Sequence, residues 1–281
     1  MGNPRTATRS PQRRSVPRRA PAAFAERAGD RQFATTLARG LEILRCFTPQ
    51  QPVLATAELA RRTGLPKPTI SRFTYSLAAM GYLRPDHAAG SYRLGPAVLS
   101  LGYPLIASFA FRQFVRPAME ALARQVNGSV SLGLRDRTNM VYVETCRSRA
   151  TSSFQLSDIG MTHPIAASAI GRAYIAGCAP GERSALLNEL RVKTPDLWRQ
   201  HGAAITQTLA AFRETGYCVS YGDLRPGIYA LAVPVGRLSN RELLVLNAVS
   251  PSWTTRRAQF APTLAPALMV CARVISDQLT G

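Results

Sequence analysis

Acid is scarce in this chain. Its 281 residues carry 16 Asp and Glu against 35 Lys and Arg, a formal net charge of +19 and a pI near 11.0. Lysine is scarcer still: Lys67 and Lys193 are the only two, so nearly all of the positive charge is arginine. This imbalance favours a polyanionic partner, although charge speaks to association and not to fold. Cysteine is thin as well. Cys46, Cys146, Cys178, Cys218 and Cys271 are scattered without a close pair, which excludes a disulfide framework or a zinc site and reads as buried thiols in a reducing cytoplasm.

The common catalytic signatures are missing too. There is no GxxxxGK[ST], no HExxH and no GxSxG, and the three histidines, His87, His163 and His201, lie far apart. An enzyme would have to be built around His163 beside Pro164, with Cys146 or Ser168 as nucleophile; a loop histidine held by local hydrogen bonds is the simpler account. The reading is therefore a protein that is not an enzyme, with no cofactor and no metal. A membrane role fails on similar grounds. One uncharged run, Leu94 to Phe111, reaches spanning length, but two Pro, two Gly, two Ser and a Tyr interrupt it.

The 46% hydrophobic content describes a globular protein long enough for two domains. Its charge is uneven: residues 1–95 hold 16 basic against 5 acidic residues, +11 of the total +19. Residues 1–32 are expected to form a disordered basic tail, rich in Arg, Pro, Ala and Ser, with six Arg before the first acid, Glu26. An organelle transit peptide has the same composition. A DNA-tracking arm or a dispensable extension is the preferred reading.

Ala57 to Leu94 organises the rest. It reads as a helix, a turn at Thr63-Gly64, a second helix opened by Pro66-Lys67-Pro68, and a hairpin. In the second helix Ile70, Phe73, Leu77 and Met80 recur at helical spacing, leaving Lys67, Thr69, Ser71, Arg72 and Tyr75 on the outer face. Tyr82-Leu83-Arg84 and Ser91-Tyr92-Arg93-Leu94 alternate as strands around a turn, a wing with one Arg on each strand. Helix, turn, helix and wing in this order make a winged helix-turn-helix over 33–95, expected to meet double-stranded operator DNA through Lys67, Thr69, Ser71, Arg72, Tyr75, Arg84 and Arg93. A preceding helix from Thr35 to Thr48-Pro49 is expected to cover it with Leu37, Leu41, Leu44 and Phe47.

A linker helix follows over 96–110, with Val98, Leu101, Leu105 and Ile106 as an apolar face that suits a second copy of the chain. Residues 111–281 then read as an α+β, sensor-like domain. Its first helix, Phe111 to Asn127, would turn Phe114, Ala118, Leu122 and Val126 inward. Strands are expected near Val130 to Leu134, Met140 to Cys146, Phe154 to Leu156, Tyr217 to Tyr221, Ile228 to Val235 and Leu243 to Val249. Helices are expected at Ala167 to Gly177, Pro180 to Leu190 and His201 to Thr215, with a closing helix carrying Leu264, Leu268, Cys271 and Ile275.

Several local strings match a known family from about Phe33 to Leu279. They are Leu37-Ala38-Arg39-Gly40-Leu41, Ala57-Glu58-Leu59-Ala60, Thr63-Gly64-Leu65-Pro66, Met80-Gly81-Tyr82-Leu83 and Tyr92-Arg93-Leu94-Gly95. Downstream come Ser168-Ala169-Ile170-Gly171-Arg172-Ala173, Arg213-Glu214-Thr215-Gly216-Tyr217 and Gly227 to Pro234. On these the chain resembles the IclR family of bacterial transcriptional regulators. The resemblance implies an N-terminal winged helix-turn-helix joined by a linker helix to a GAF-like antiparallel-sheet effector domain, working in the cytoplasm as a homodimer or dimer of dimers. It also implies a small organic or aromatic acid effector, walled by Ala169, Ile170, Ser220, Tyr221, Asp223, Ile228, Ala230, Ala248 and Ser250. Many members carry Gly at position 169 and acids across 220–223; here Ala169, Ser220, Tyr221 and Gly222 make larger, less acidic walls. A constitutive DNA binder with a vestigial sensor domain is the alternative.

Overall fold

The structure, a computed structural model, describes residues 30–87, 90–149 and 157–280. The basic tail up to Gly29, the wing-tip residues Ala88 and Ala89, and the strand expected at Phe154 to Leu156 lie outside the described residues. The chain divides into two compact units, Met1–Ser108 and Phe109–Gly281.

The first unit contains α1 (Thr35–Arg45), β1 (Val53–Ala55), α2 (Thr56–Thr63), α3 (Lys67–Ala79), β2 (Leu83–Pro85), β3 (Ser91–Leu94) and α4 (Ala97–Ser108). The turn between α2 and α3 is made by Gly64 at φ 70°, a left-handed conformation that costs glycine little, and its N–H donates to Ala60 O at 2.9 Å. Thr63 fixes the same corner: its hydroxyl donates to Leu59 O at 2.7 Å and accepts from the Leu65 N–H at 3.3 Å. Arg62 ties the base of α2 to the preceding loop, donating to Glu58 at 2.6 Å, to Cys46 O at 2.7 Å and to Gln51. The Arg61 guanidinium, joined by that of Arg62, holds Glu58 down at about 2.

Ile43, Leu54, Leu59, Ile70 and Leu83 form the buried centre of this unit. Two expectations about it are corrected. Leu37 and Leu41 are exposed, while Phe47 is buried and Leu44 packs on the core as expected; α1 itself buries Ile43, and Cys46 follows it inward. Met80 is exposed as well; α3 buries Thr74, whose hydroxyl donates to Ile70 O at 3.0 Å and so needs no other partner. The wing gains a strand that alternation did not reveal. Three-residue β1 pairs with β3, in the order β1-β3-β2, and only Leu54 of it is buried. In α4 no residue is buried: Leu99, Leu101, Tyr103 and Leu105 all lie open.

The second unit contains α5 (Arg112–Gln125), β4 (Ser129–Asp136), β5 (Asn139–Arg147), β6 (Thr162–Pro164), α6 (Ala169–Gly177), α7 (Pro180–Lys193), α8 (Pro195–Thr215), β7 (Cys218–Tyr221), β8 (Ile228–Arg237), β9 (Leu243–Pro251) and α9 (Arg257–Thr280). Its strands form one antiparallel sheet in the order β6-β5-β4-β9-β8-β7. Helices cover both faces. On one, Val115, Met119 and Leu122 of α5 and Phe260, Leu268 and Ile275 of α9 pack on Val130, Leu132, Leu246 and Ala248. On the other, Ile170 and Ala173 of α6, Leu186 and Leu190 of α7 and Ile205 of α8 pack on Met140, Ala232 and Val245. Every residue of β9 is consequently buried.

Three details differ from the sequence reading. Phe114 is 66% exposed, and α5 turns Val115, Met119 and Ala123 inward beside Leu122 and Val126. Helix α8 begins at Pro195, a good first-turn residue, rather than at His201. Short β6 escaped notice because three residues carry no periodicity. Helix α9 is long and apolar enough by length to cross a membrane, yet its apolar stripe is buried on the sheet.

One close approach fixes α6. A Cβ at Gly171 would fall 2.2 Å from Ile165 O and 2.4 Å from Ile165 Cα. Helix propensity favours Ala over Gly by about 1 kcal/mol, but overpacking against backbone outweighs it. Gly171→Ala should therefore destabilise the protein by about 1–3 kcal/mol. Denaturant unfolding would show this as a lower midpoint; an unchanged or higher midpoint would contradict the packing.

Candidate functional site

Two sites emerge, one in each unit. In the first, Lys67, Ser71 and Tyr75 stand four residues apart on α3 with Arg72 beside them, all exposed, and Thr69 is half-buried. Tyr75 is 77% exposed, with nothing apolar covering its ring. Arg84 and Arg93 are direct cross-strand partners between β2 and β3. Like charges placed this way destabilise a sheet, which an incoming phosphate would relieve. Arg93 is oriented by Asp86 at 2.5 Å; Lys67, Arg72 and Arg84 have no carboxylate partner among the described residues. The seven side chains of the sequence reading thus belong to one helix and one wing of one unit.

In the second unit a cavity of about 280 Å³ lies between the sheet and the start of α6. Of the nine expected wall residues, Ala169, Ile170, Ser220, Ile228 and Ala230 line it. The other four do not. Tyr221 and Ala248 point to the opposite face, Tyr221 edge-on to Tyr229 at 5.2 Å and under the Arg257 guanidinium at 4.6 Å, Ala248 in the core beneath α5 and α9. Ser250 bonds Thr254 at 2.7 Å, and Asp223 is engaged by Arg172. Strand alternation explains the errors on β9: Asn247 and Val249 line the cavity where Ala248 and Ser250 were expected. Sequence reasoning also missed Tyr142 on β5, together with Met161, Thr162, Leu224 and Arg225, which the chain at short β6 and the loop after β7 bring in.

The cavity's polar groups sort by charge. Ser168 caps α6, accepting from the Gly171 N–H at 3.2 Å and donating to Pro164 O at 2.8 Å. The N–H groups of Ala169 and Ile170 are left without intrahelical acceptors at the positive end of the helix. Arg225 is the one lining residue with a permanent charge, and no Asp or Glu lines the cavity among the described residues. Burial lowers His163 to about 4, so the imidazole is neutral at pH 7. It stands edge-on to Tyr142, ring centroids 4.8 Å apart. Burial also raises the Tyr142 phenol above its ordinary range, and the Asn247 Nδ2 donates to its hydroxyl at 2.8 Å.

The catalytic alternatives do not assemble. Cys146 is buried in the opposite core and its thiol is pushed up to about 11 by burial, so it supplies no thiolate. The Ser168 hydroxyl is committed to its cap, donating to Pro164 O and accepting from the Gly171 N–H.

A winged helix-turn-helix followed by an antiparallel-sheet unit with a ligand-sized cavity defines a one-chain transcriptional regulator. Comparison with known proteins gives the family. The model described as the IclR helix-turn-helix domain matches residues 36–87, and that described as the bacterial transcriptional regulator IclR C-terminal matches residues 105–277. The HTH-type transcriptional regulator TsaQ1/TsaQ2 of Comamonas testosteroni is 30% identical over 245 residues, 87% of this chain and 88% of that protein. The crystal structure of an IclR family regulator from Brucella abortus superposes with a TM-score of 0.76 at 37% identity, covering 88% of this chain and 93% of that one. An IclR homolog from Microbacterium hydrocarbonoxydans, complexed with 4-hydroxybenzoate, shares the fold at 22% identity and a TM-score of 0.65, over 87% and 99% of the two chains. The chain belongs to the IclR family and is a DNA-binding HTH-type regulator; its relatives are regulators, not enzymes.

The partly buried imidazole makes stability depend on pH. His163 titrates near 4 when folded against an ordinary 6.5, so unfolding takes up a proton between these values and stability falls as pH drops through that window. The loss from pH 7 to pH 5 should be about 2 kcal/mol for this group. His163→Gln should flatten that part of the profile; equal slopes for the two proteins in denaturant titrations would refute the assignment.

Proposed function

We propose that this regulator binds operator DNA as a homodimer or dimer of dimers in the cytoplasm, and that a small organic or aromatic acid in the cavity beside α6 controls it. The observation that carries the effector reading is the charge of the cavity wall: the first turn of α6 and Arg225, with no Asp or Glu lining the cavity among the described residues. A helix N-terminus and a guanidinium stabilise a carboxylate, and the neutral His163 and apolar Met161, Ile170 and Val249 suit a ring or short chain attached to it. The 4-hydroxybenzoate held by the Microbacterium homolog is an acid of this kind. Five free, buried cysteines fit a reducing compartment.

Assembly follows from the exposed apolar residues of α4. Leu99, Leu101, Tyr103 and Leu105, each at least 60% exposed, favour burial against the same helix of a second copy. Two readers then meet successive major grooves, and the operator is an imperfect palindrome.

For DNA, Lys67, Thr69, Ser71, Arg72 and Tyr75 are assigned to the major groove, Arg84 and Arg93 to phosphate or the minor groove. Arg72→Ala should weaken specific operator binding by about 1–3 kcal/mol while binding to unrelated DNA changes less. Gel-shift titration of both DNAs measures this, and unchanged specific affinity would remove α3 from the groove.

For the effector, a panel of organic and aromatic acids should contain members that raise the melting temperature, since a ligand that binds only the folded state stabilises it. The same acids should shift operator affinity by about 5–150-fold, in whichever direction. Operator affinity identical with every acid that binds would instead indicate a constitutive DNA binder.

A further inference from the structure

One polar atom on the cavity wall has no answer within the fold. Asn247 on β9 is 2% exposed and lines the cavity, and its Oδ1 has no hydrogen-bond partner among the described residues. The other end of the amide is anchored by the 2.8 Å bond from Nδ2 to the Tyr142 hydroxyl. Tyr142 is itself held, buried and hydrogen-bonded to Ser157, which accepts from Ser129 at 2.9 Å. The amide therefore cannot swing away to find a partner elsewhere.

A buried carbonyl oxygen without a donor is a standing cost of the folded state, and leucine would fill the same space without it. Turning the amide over does not remove the problem. Tyr142 would then donate to Oδ1, and Nδ2 would face the cavity without an acceptor. A hydroxyl answers either orientation, since it donates to Oδ1 or accepts from Nδ2; an ether oxygen answers only the second and a methyl group neither. The surroundings add shape to this requirement: Tyr142 and His163 present ring edges and faces, and Met161, Ile170 and Ile228 present apolar surface.

We infer that the ligand is a hydroxy-substituted aromatic acid, whose hydroxyl is read by the Asn247 amide while its carboxylate meets the α6 N-terminus and Arg225. This rests on the acid-binding reading of the cavity and narrows it: Asn247 is a specificity residue that separates a hydroxylated ring from the bare one.

Calorimetry on the full-length protein with benzoate and with 2-, 3- and 4-hydroxybenzoate tests it, alongside Asn247→Leu. At least one hydroxybenzoate should bind the wild type about tenfold or more tightly than benzoate, because a site built to bond a hydroxyl loses that bond with the analogue lacking it. Asn247→Leu should reduce this preference to within about twofold and leave benzoate affinity unchanged or tighter, as the stranded amide is gone. The wild-type comparison decides on its own should the variant not fold. Equal affinity of the wild type for benzoate and all three isomers overturns the inference and leaves the acid pocket standing; so does binding of aliphatic acids but of none of these four. A preference that survives in Asn247→Leu assigns the reading to another group and also overturns it. No binding by any acid defeats both the pocket and this inference.

Discussion

The second unit depends on a sheet that is covered on both sides. Because β9 is buried along its whole length, the two-residue period of the strand decides which of two interiors each side chain enters. Leu244, Leu246 and Ala248 go to the core under α5 and α9, while Val245, Asn247 and Val249 go toward α6. The first interior holds the larger hydrophobic cluster. The second has its own cluster under α7 and α8 and opens into a cavity at the start of α6, where the missing Cβ of Gly133 on β4 makes room for the Ile170 side chain. One side of the sheet thus holds the domain together and the other leaves room for a ligand.

The same constraint explains what the sequence made legible. Helix-turn-helix, wing, linker helix and the closing helix with Leu264, Leu268, Cys271 and Ile275 all carry a periodicity of their own, and they stand where the chain suggests. A strand buried on both faces reads as a continuous apolar run, so LLVLNAVS shows that a strand is there but not which face each residue takes. The resemblance sets Ala248 and Ser250 on a wall that Asn247 and Val249 make, and the apolar run carries no signal to correct it. The polar residue inside an apolar run was the available signal, since an Asn in a buried strand needs a reason. Short β1 and β6 carried no signal at all, and Arg225 lies in a loop that only the tertiary structure brings to the cavity.

Asp223 shows how a neighbouring charge can change the meaning of a residue. Arg172, on α6 and 2% exposed, holds Asp223 and also donates to Val219 O at 3.4 Å and Thr208 at 3.5 Å. A buried guanidinium tolerates loss of its carboxylate poorly, so the pair fixes the loop of residues 222–227 to the back of α6. The carboxylate that sequence position suggested for the pocket wall is therefore neutralised behind it. What remains facing the cavity is positive or neutral, and Leu224 and Arg225 are presented by the loop that this ion pair positions.

The two units have separate cores. Ligand control of the proposed kind requires at least two arrangements of the protein that differ in affinity for both partners. The ligand shifts their balance only by the difference in its own affinities, and DNA must shift ligand affinity by the same factor in return. The structure locates where such a difference can arise. In the proposed reading a carboxylate would meet the first turn of α6 and a hydroxyl the amide on β9, with Arg225 on the loop that the Arg172–Asp223 pair holds, so any motion of α6 against the sheet would change all three distances to a ligand at once. The Gly171 approach to Ile165 and the Ser168 cap leave little freedom for that motion within the unit. Bistability is then more economically placed in α4, none of whose residues is buried, and in the contact proposed for it with a second copy.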